Sequence, residues 1–247
     1  MLLSIITAVR NDPRVVKAIR SVAQQEGVHT EHVIVDGAST DDTVRRIRET
    51  MSGNVCLISE EDSGLYDAIN KGIRSCSGDI VGFLNADDWF SSRHSLQHIV
   101  EAFRSADCEV VYGNVRYIDS RGTTKRTWES RPYEGGLFQR SWTPAHPTFY
   151  TYRSNYEKLG LYRTDFRIAA DVELMYRFLE VHQLAACYLP EELVVMSAGG
   201  VSNSGLDSTL TIYREVKKAI RENGGSFSDI KYLYHKFLKV REYLWRS

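Results

Sequence analysis

The sequence predicts an α/β protein in which helices flank a mostly parallel sheet and further helices follow at the C-terminus. Two observations predict this fold class. In the first half of the chain, short apolar segments typical of buried strands alternate four times with segments of helical periodicity, the signature of a doubly wound sheet. Predicted strands also end abruptly at Asp or Asn, and ligands bind outside the carboxyl ends of the strands in such sheets.

The first half supplies the alternating elements. Strands are predicted at residues 2–9, 32–35, 55–59 and 80–84 because each is a short, nearly continuous apolar run. Helices are predicted after them, at about 15–25, 44–51, 65–73 and 95–105, since their apolar residues recur three and four positions apart. A polar turn at 119–122 between the segments 110–118 and 123–128 predicts a β-hairpin.

The second half is less regular. Residues 131–147 are rich in Gly, Pro and aromatic side chains, which is typical of an active-site loop. A strand is predicted at 148–152, a helix opens at Asp171, and a strand at 193–196 leads into a Gly-Gly-Val-Ser loop at 199–202. That loop could close over a diphosphate or form an ordinary turn. Two helices at about 208–222 and 226–245 close the chain, so we expect a domain at 1–205 and a helical extension at 206–247.

The composition argues against several classes of protein. A net charge of −1 creates no field for a polyanion, so a nucleic-acid partner is not expected. The four cysteines are far apart, which predicts neither a disulfide framework nor a zinc cluster and suits a reducing cytosol. The N-terminus lacks the features of a signal peptide, and no apolar run is long enough to span a membrane. We therefore expect a cytoplasmic protein, or one peripheral on the inner face of the cytoplasmic membrane.

Two adjacent acids, Asp87 and Asp88, directly follow the buried strand at 80–84. Adjacent carboxylates repel each other and lose hydration energy on burial unless a cation or hydrogen-bond donors offset their charge. One interpretation is therefore a divalent cation held for a diphosphate. The other is that either acid caps the helix at 95–105.

Five short motifs follow one another along the chain. They read VDGASTD at 35–41, DSGLYDAINKG at 62–72, FLNADD at 83–88, HPTF at 146–149 and AADVEL at 169–174. In this order and at these spacings they resemble the bacterial family 2 glycosyltransferases with the Rossmann-like GT-A fold. The resemblance is strongest to the members found in capsule, exopolysaccharide and colanic-acid gene sets, and it runs from Leu2 to about Ser204.

The resemblance implies a hexosyltransferase-type reaction. The enzyme would move a sugar with inversion from a nucleotide diphosphate sugar, most often a UDP-sugar, to an acceptor hydroxyl in surface polysaccharide or lipid-linked glycan biosynthesis. Inversion needs a single displacement, with a general base for the acceptor and a Lewis acid for the departing diphosphate. Mn²⁺ or Mg²⁺ is the expected cofactor. Asp171 matches the family's base; the alternatives are that it only caps its helix, or that Glu173 is the base.

The resemblance also implies a donor site. The donor-binding positions that match the family are Thr7, Val9, Asn11, Asp36, Asp67, Lys71, Asn85, Ala86, Asp87 and His146. Asp87 and Asp88 take the position of the family's Asp-x-Asp motif and would hold the cation, although its first acid is Asn85 here. Many relatives carry a second acid where this chain has Gly37, so GDP and dTDP stay open beside UDP.

Several of these positions have a simpler interpretation. Thr7, Val9 and Asn11 could merely terminate a strand, and Asp36 could only shape a turn. Asp67 and Lys71 lie one helical turn apart and could form a surface ion pair. His146 could ligate the metal, bind the diphosphate or touch the acceptor, or it could be a satisfied core histidine.

Two other functions compete with the transferase. A sugar-phosphate nucleotidyltransferase would need a Gly-rich, basic loop after the first strand, and Arg10–Pro13 of this chain reads RNDP instead. A non-catalytic nucleotide-sugar-binding partner subunit would be expected to have lost Asp87, Asp88 or Asp171, and the chain retains all three.

The last predicted helix is basic and amphipathic. Its apolar stripe consists of Ile230, Leu233, Tyr234, Phe237, Leu238 and Leu244. Such a helix often lies on an anionic membrane surface, which would suit a polyprenyl-linked acceptor. Packing on the protein's own core, or on a second subunit in a homodimer, predicts the same pattern.

Overall fold

A computed structural model of the chain describes residues 1–197 and 206–246. Within these residues it confirms the predicted fold class, a mostly parallel sheet with helices on both faces. The strands are β1 (Leu2–Val9), β2 (His29–Asp36), β3 (Val55–Ser59), β4 (Ile80–Phe83), β5 (Trp89–Phe90), β6 (Val110–Ile118), β7 (Thr124–Trp128), β8 (Tyr150–Tyr152) and β9 (Ala186–Ser197).

The helices alternate with the strands in the first half and cluster toward the C-terminus. They are α1 (Val15–Ala23), α2 (Thr43–Thr50), α3 (Leu65–Ser75), α4 (Ser95–Ser105), α5 (Arg153–Leu159), α6 (Ala170–Tyr176), α7 (Leu206–Glu222) and α8 (Asp229–Arg246). A π-helical turn, Arg177–Val181, extends α6, and short 3₁₀ turns cover Phe138–Arg140 and His146–Thr148. Among the described residues, no helix is both long and apolar enough to cross a membrane.

The strand order is β3-β2-β1-β4-β8-β6-β9-β5, and β7 pairs with β6. Strands β1 to β4 are parallel, so their carboxyl ends meet at one edge of the sheet. In this register Val9 lies opposite Asp36, and Asp36 lies opposite Ser59. The topology therefore brings three loops that are far apart in the sequence to the same edge.

Strand β8 joins the parallel half of the sheet to the rest by antiparallel pairing with β4 and β6. Gly82 allows this junction, because a Cβ atom at that position would lie 1.9 Å from the ring of Tyr150. Any larger residue would force the buried ring of Tyr150 to shift. Since β4 leads directly to Asp87, the close approach helps to define the place where the two acids leave the sheet.

Two hydrophobic layers cover the sheet. One face packs against α3, α6 and α7 through residues such as Ile6, Leu174 and Ile220, all at most 1% exposed. The other face packs against α1 and α4 through residues such as Leu3 and Leu96. Burial of these faces is the main stabilising contribution to the fold.

Three parts of the second half differ from the prediction. Strand β9 begins at Ala186 rather than at residue 193. Its first seven residues pair with β6 but are polar or half-exposed, so they form no continuous apolar run that would have predicted a strand. Helix α5 is short and mostly polar, and strand β5 has only two residues, so neither shows a periodic pattern. The boundary predicted at residue 205 stays a prediction, but Val216, Ala219 and Ile220 of α7 lie in the same core as α6.

Candidate functional site

Asp36 ends β2 at the carboxyl edge of the sheet and is fully buried. Its Oδ2 accepts hydrogen bonds from the Ser39 backbone N–H at 3.1 Å and from the Ser59 hydroxyl at 2.7 Å. Its Oδ1 is buried without a hydrogen-bond partner among the described residues. A buried acceptor without a donor is costly, so this oxygen is suited to an N–H or O–H group of a ligand.

The three positions predicted around the end of β1 differ in their environment. Thr7 is fully buried, where its hydroxyl donates to the Leu84 carbonyl at 2.8 Å and lies 2.9 Å from Nε2 of His32. Val9 is buried in an apolar cluster that also contains Ala86. Asn11 is exposed at the edge itself, so among these three side chains it is the one that a ligand can reach directly.

Asn11 connects the loop after β1 to the loop after β2. Its backbone has a left-handed φ of 50°, its N–H donates to the Ser39 hydroxyl at 2.7 Å, and its Oδ1 accepts from the Thr40 N–H at 2.8 Å. These bonds make one continuous rim of the two loops beside Asp36.

Gly37 has a steric reason to lack a side chain. A Cβ atom there would lie 2.2 Å from Oδ2 of Asp62, which comes from the loop between β3 and α3. Asp62 is held in place by the Gly64 N–H, which donates to its Oδ1 at 3.0 Å. A carboxylate therefore does occupy the space beside Asp36, but a different loop supplies it.

Asp87 and Asp88 have opposite environments. Asp88 is 1% exposed, and its carboxylate accepts from the Asn85 amide at 2.7 Å and from the Ser197 backbone N–H at 3.2 Å. Burial raises the pKa of Asp88 to about 7, although the Asn85 hydrogen bond lowers it in part. Asp87 is 21% exposed, and its Oδ2 lies 3.1 Å from Nη1 of Arg14.

Arg14 was not predicted as a site residue. Its guanidinium binds Asp12 through two hydrogen bonds of 2.8 and 2.6 Å and also contacts Asp87. It therefore links the loop after β1 to the acidic turn after β4. The signal in the sequence was only a basic residue next to the polar segment that ends the first strand.

A divalent cation fits Asp87 better than Asp88. Within residues 1–197 and 206–246, no group of three or more His, Cys, Asp or Glu side chains is placed to hold a metal alone. Mg²⁺, however, is commonly bound by one or two carboxylates together with substrate phosphates, and Mn²⁺ prefers similar oxygen ligands. Asp87 offers a partly exposed carboxylate for such a site. Asp88 uses its carboxylate to bind Asn85 and Ser197.

Asp67 and Lys71 lie on α3, but their pairing is weak. Lys71 Nζ is 3.9 Å from Asp67 and 2.9 Å from Glu60, and it donates to the Glu61 carbonyl at 2.5 Å. Asp67 accepts from the Ser63 N–H at 3.0 Å, a bond that lowers the pKa of its carboxyl. Both residues therefore stabilise the loop between β3 and α3, close to the site.

Asp171 lies in the first turn of α6 and faces His146. Its Oδ2 is 3.3 Å from Nδ1 of His146, and the two side chains are 20% and 33% exposed. Burial raises the pKa of Asp171, and the neighbouring imidazole lowers it in part. The Trp128 ring packs edge-on against His146, with 5.8 Å between ring centroids. A partly exposed carboxylate with a raised pKa is suited to accept a proton.

The segment before α6 is held by two residues that sequence reasoning missed. Glu215 of α7 accepts hydrogen bonds of 2.7, 2.9 and 2.8 Å from the backbone N–H groups of Arg167, Ile168 and Ala169. The Tyr66 hydroxyl donates to the Ile168 carbonyl and accepts from the Ala170 N–H at 3.2 Å. Nothing in the sequence pairs residue 215 with residue 171, so only the fold reveals this support.

Two contacts place Asp171 and His146 at the same edge as Asp36 and Asp87. Tyr66 lies in the first turn of α3, which begins shortly after the carboxyl end of β3. The 3₁₀ turn that contains His146 packs against β4, the strand that leads to Asp87. A cavity of about 280 Å³ lies beside Tyr66, between Ser63–Asp67 and Thr164–Arg167. The loop predicted at 199–202 lies outside the described residues.

Two solved glycosyltransferase structures share the fold of this chain. The crystal structure of S. aureus TarS 1–349 in complex with UDP-GlcNAc has a TM-score of 0.64 at 15% identity, covering 93% of this chain and 69% of that one. The mannosyltransferase PcManGT from Pyrobaculum calidifontis, in complex with GDP-Man and Mn²⁺, has a TM-score of 0.66 at 18% identity, covering 95% and 68%. The fold is therefore that of the GT-A glycosyltransferases.

The family follows from the sequence. Residues 4–169 match the family described as glycosyl transferase family 2. The PGL/p-HBAD biosynthesis glycosyltransferase of Mycobacterium bovis is 30% identical over 212 residues, which cover 83% of this chain and 80% of that protein. The chain belongs to glycosyltransferase family 2.

Proposed function

We propose that this protein is an inverting glycosyltransferase that moves a hexosyl group from a nucleotide diphosphate sugar to an acceptor hydroxyl. The observation that carries the proposal is the partly buried carboxylate of Asp171, which faces His146 at the sheet edge that also holds Asp36 and Asp87. One end of the sheet thus offers groups for a nucleoside, a diphosphate and an acceptor proton.

The donor is bound at the first three strand ends. The unpaired Oδ1 of Asp36 accepts a base N–H or a ribose hydroxyl, and Asn11 borders the same space. UDP is the first candidate nucleotide because TarS, a structural neighbour, binds UDP-GlcNAc. GDP is the second, because the PcManGT complex contains GDP-Man.

The diphosphate is bound near Asp87. A Mn²⁺ or Mg²⁺ ion held by this carboxylate would supply Lewis-acid stabilisation to the departing diphosphate. Arg14 adds a permanent positive charge at 3.1 Å from Asp87, so it orients that carboxylate and can attract the phosphates. Asp88 and Asn85 bind each other and define the turn that presents Asp87.

Asp171 acts as the general base. It takes the proton of the acceptor hydroxyl while the acceptor oxygen attacks the anomeric carbon and the bond to the diphosphate breaks, a single displacement that inverts the configuration. His146 orients Asp171 through the contact between Nδ1 and Oδ2. Burial favours this role because a raised pKa makes the carboxylate a stronger base.

The acceptor is a hydroxyl of a surface polysaccharide or of a lipid-linked glycan. Support comes from the relative in Mycobacterium bovis, whose name assigns it to PGL/p-HBAD biosynthesis. The cavity beside Tyr66 is the place we assign to part of the acceptor, since Tyr66 also contacts the residue before Asp171.

The proposal is tested by measuring thermal shifts with UDP, GDP, dTDP and CDP, each with and without Mn²⁺. A ligand that binds only the folded state must raise its stability. We expect one nucleotide to stabilise the protein and Mn²⁺ to enlarge that shift. In the Asp87→Asn variant, Mn²⁺ should no longer enlarge the thermal shift produced by the nucleotide, and the same nucleotide should still be preferred.

Asp171→Asn separates donor binding, measured by the same thermal shift, from chemistry, measured by a sugar-transfer assay. This variant should keep the nucleotide shift of the wild type but lose transfer by at least about a hundredfold, since general-base catalysis contributes roughly that factor or more. Full transfer activity in the variant would disprove the role of Asp171. A nucleotide shift in wild-type protein that transfers sugar to no acceptor would favour a non-catalytic binding subunit.

A further inference from the structure

The described part of α8 has one face bound to the protein and one face open to solvent. Tyr232 is 5% exposed and packs against Tyr213 and Phe227, with ring centroids 5.8 and 5.0 Å away. One further contact on this side joins Lys239 to the turn at Phe138–Arg140, because its ammonium donates to the Ser141 carbonyl at 2.5 Å. The orientation of the helix is therefore set by specific contacts.

The opposite face is apolar and exposed. It consists of Ile230, Leu233, Tyr234 and Phe237, at 84%, 50%, 59% and 65% exposure. Their spacing of three, one and three residues places them in one stripe along the helix. Packing on the protein's own core is therefore wrong for this stripe. Leu238 is half-buried, and the side chain of Leu244 is not among those described.

The charge around the stripe is positive. Lys231 flanks its first turn, and Arg241 continues the same row one turn after Phe237; both are exposed. The sequence from 229 to 241 contains one acid, Asp229, and its carboxylate binds Lys217 at 2.8 and 2.9 Å and the Tyr213 hydroxyl. Asp229 is the acid of α8 whose side chain is described, and it is already paired, so no described acid of this helix balances Lys231 and Arg241; the other acid of α8, Glu242, lies outside the described side chains.

This charge pattern decides between two occupants of the face. In a symmetric pair of α8 helices the same patch meets itself, so Lys231 and Arg241 would approach the same cations of the other copy. Like charges next to each other oppose such a contact. An anionic lipid surface instead accepts the apolar side chains among its acyl chains and the two cations at its head groups.

We propose that α8 docks this protein on an anionic bilayer through the stripe formed by Ile230, Leu233, Tyr234 and Phe237. The helix lies in the plane of the interface, with Lys231 and Arg241 at the level of the phosphates. Because Tyr232 and Lys239 bind α8 to the protein, docking also orients the whole molecule on the lipid surface.

The test is co-sedimentation of the full chain with vesicles, without any nucleotide. We compare vesicles of phosphatidylcholine alone with vesicles that contain about one third phosphatidylglycerol. Wild-type protein should bind the anionic vesicles, and added salt should weaken the binding. Replacing two stripe residues in Leu233→Ser/Phe237→Ser should reduce binding at least about tenfold, since each side chain loses its apolar burial in the bilayer.

A matched control is Leu210→Ser on α7, an exposed leucine outside the stripe at 46% exposure, which should bind as the wild type does. Lys231→Gln/Arg241→Gln should lower binding to anionic vesicles about tenfold or more, because each basic residue contributes roughly a factor of five. The same proteins are checked by thermal shift with nucleotide, so a folding or donor-binding defect is seen separately from loss of docking.

Two results would overturn the proposal. One is equal vesicle binding by the wild type and Leu233→Ser/Phe237→Ser. The other is a dimer of the wild type in sedimentation velocity that this variant abolishes, together with no vesicle binding, which would assign the stripe to a second copy. Because the vesicle assay needs no donor, neither result depends on the proposed transferase activity.

Discussion

The helices α7 and α8 have similar amphipathic sequences but different surroundings. Helix α7 buries its apolar face in the main core, where Val216, Ala219 and Ile220 are at most 4% exposed. In α8 the stripe from Ile230 to Phe237 faces solvent, and Tyr232 on the opposite side supplies the buried contact. An apolar stripe thus shows that a helix has a face to cover, but it does not show what covers it.

The two helices also differ in their relation to the site. Glu215 of α7 binds three backbone N–H groups immediately before α6, which carries Asp171. Helix α8 is connected to α7 through the bond between Lys217 and Asp229 and lies against the turn at Phe138–Arg140. We infer that α7 is part of the catalytic scaffold, whereas α8 is an attachment to it.

The largest expected effect is on global stability. Ile220→Ala in α7 should destabilise the protein by about 2–5 kcal/mol, because it leaves a cavity in a fully buried position. Ile230→Ala in α8 is the matched change at an 84% exposed position and should alter stability by less than about 0.5 kcal/mol. Urea denaturation measures both. Equal effects would show that the two helices are equally integrated into the fold.

The second prediction concerns the support of Asp171. Glu215→Gln removes the negative charge and replaces one acceptor oxygen by a donor –NH₂ group, so at least one of the three hydrogen bonds is lost and the change should cost about 1–2 kcal/mol of stability. It should also lower kcat about tenfold with little change in KM for the donor, since small displacements of a catalytic group are costly. The measurements are urea denaturation and steady-state transfer kinetics.

Glu222→Gln on the same helix is the control for this change. Glu222 is exposed and pairs with Arg163 at 2.6 Å, so its loss should cost less than about 1 kcal/mol and leave kcat unaltered. If Glu215→Gln lowers stability without lowering kcat, Glu215 stabilises the protein and does not position Asp171.

The sequence was sufficient for the parallel half of the fold because buried parallel strands are continuous apolar runs with clear ends. It also predicted Asp36, Asp87 and Asp171 as site residues, from the ends of strands and from the motifs shared with the family, and these assignments stay predictions. It could not separate Asp87 from Asp88, because adjacent residues of one type differ here only through the tertiary contacts of Asn85 and Ser197.

Other parts of the site depend on contacts between distant segments. Arg14 reaches Asp87 across 73 positions, and Glu215 reaches Ala169 across 46. No periodicity or motif encodes such pairs. The same limit applies to α8. Its sequence correctly predicts an amphipathic helix, but what covers the apolar face depends on surfaces outside the helix.

The smallest expected effect is at the junction of the two helices and depends on pH. Hydrogen bonds from Lys217 and Tyr213 hold the pKa of Asp229 below its usual range. An acid whose pKa is lowered by folding stabilises the fold above its unfolded pKa, and that contribution is lost as the pH falls through the lowered value. Asp229→Asn should therefore speed amide hydrogen exchange in α8 at about pH 7, and this difference from the wild type should shrink as the pH falls below about 3.9 and vanish below the lowered pKa of Asp229.

Asp42→Asn is the control, because Asp42 also has a pKa lowered by arginine partners but lies immediately before helix α2, in the first half of the chain. It should leave exchange in α8 unchanged at every pH. If Asp229→Asn also speeds exchange in α7, the junction stabilises both helices together, and the distinction between a scaffold helix and an attached helix fails. If only α8 responds, Asp229 anchors the docking helix to a scaffold that is stable without it.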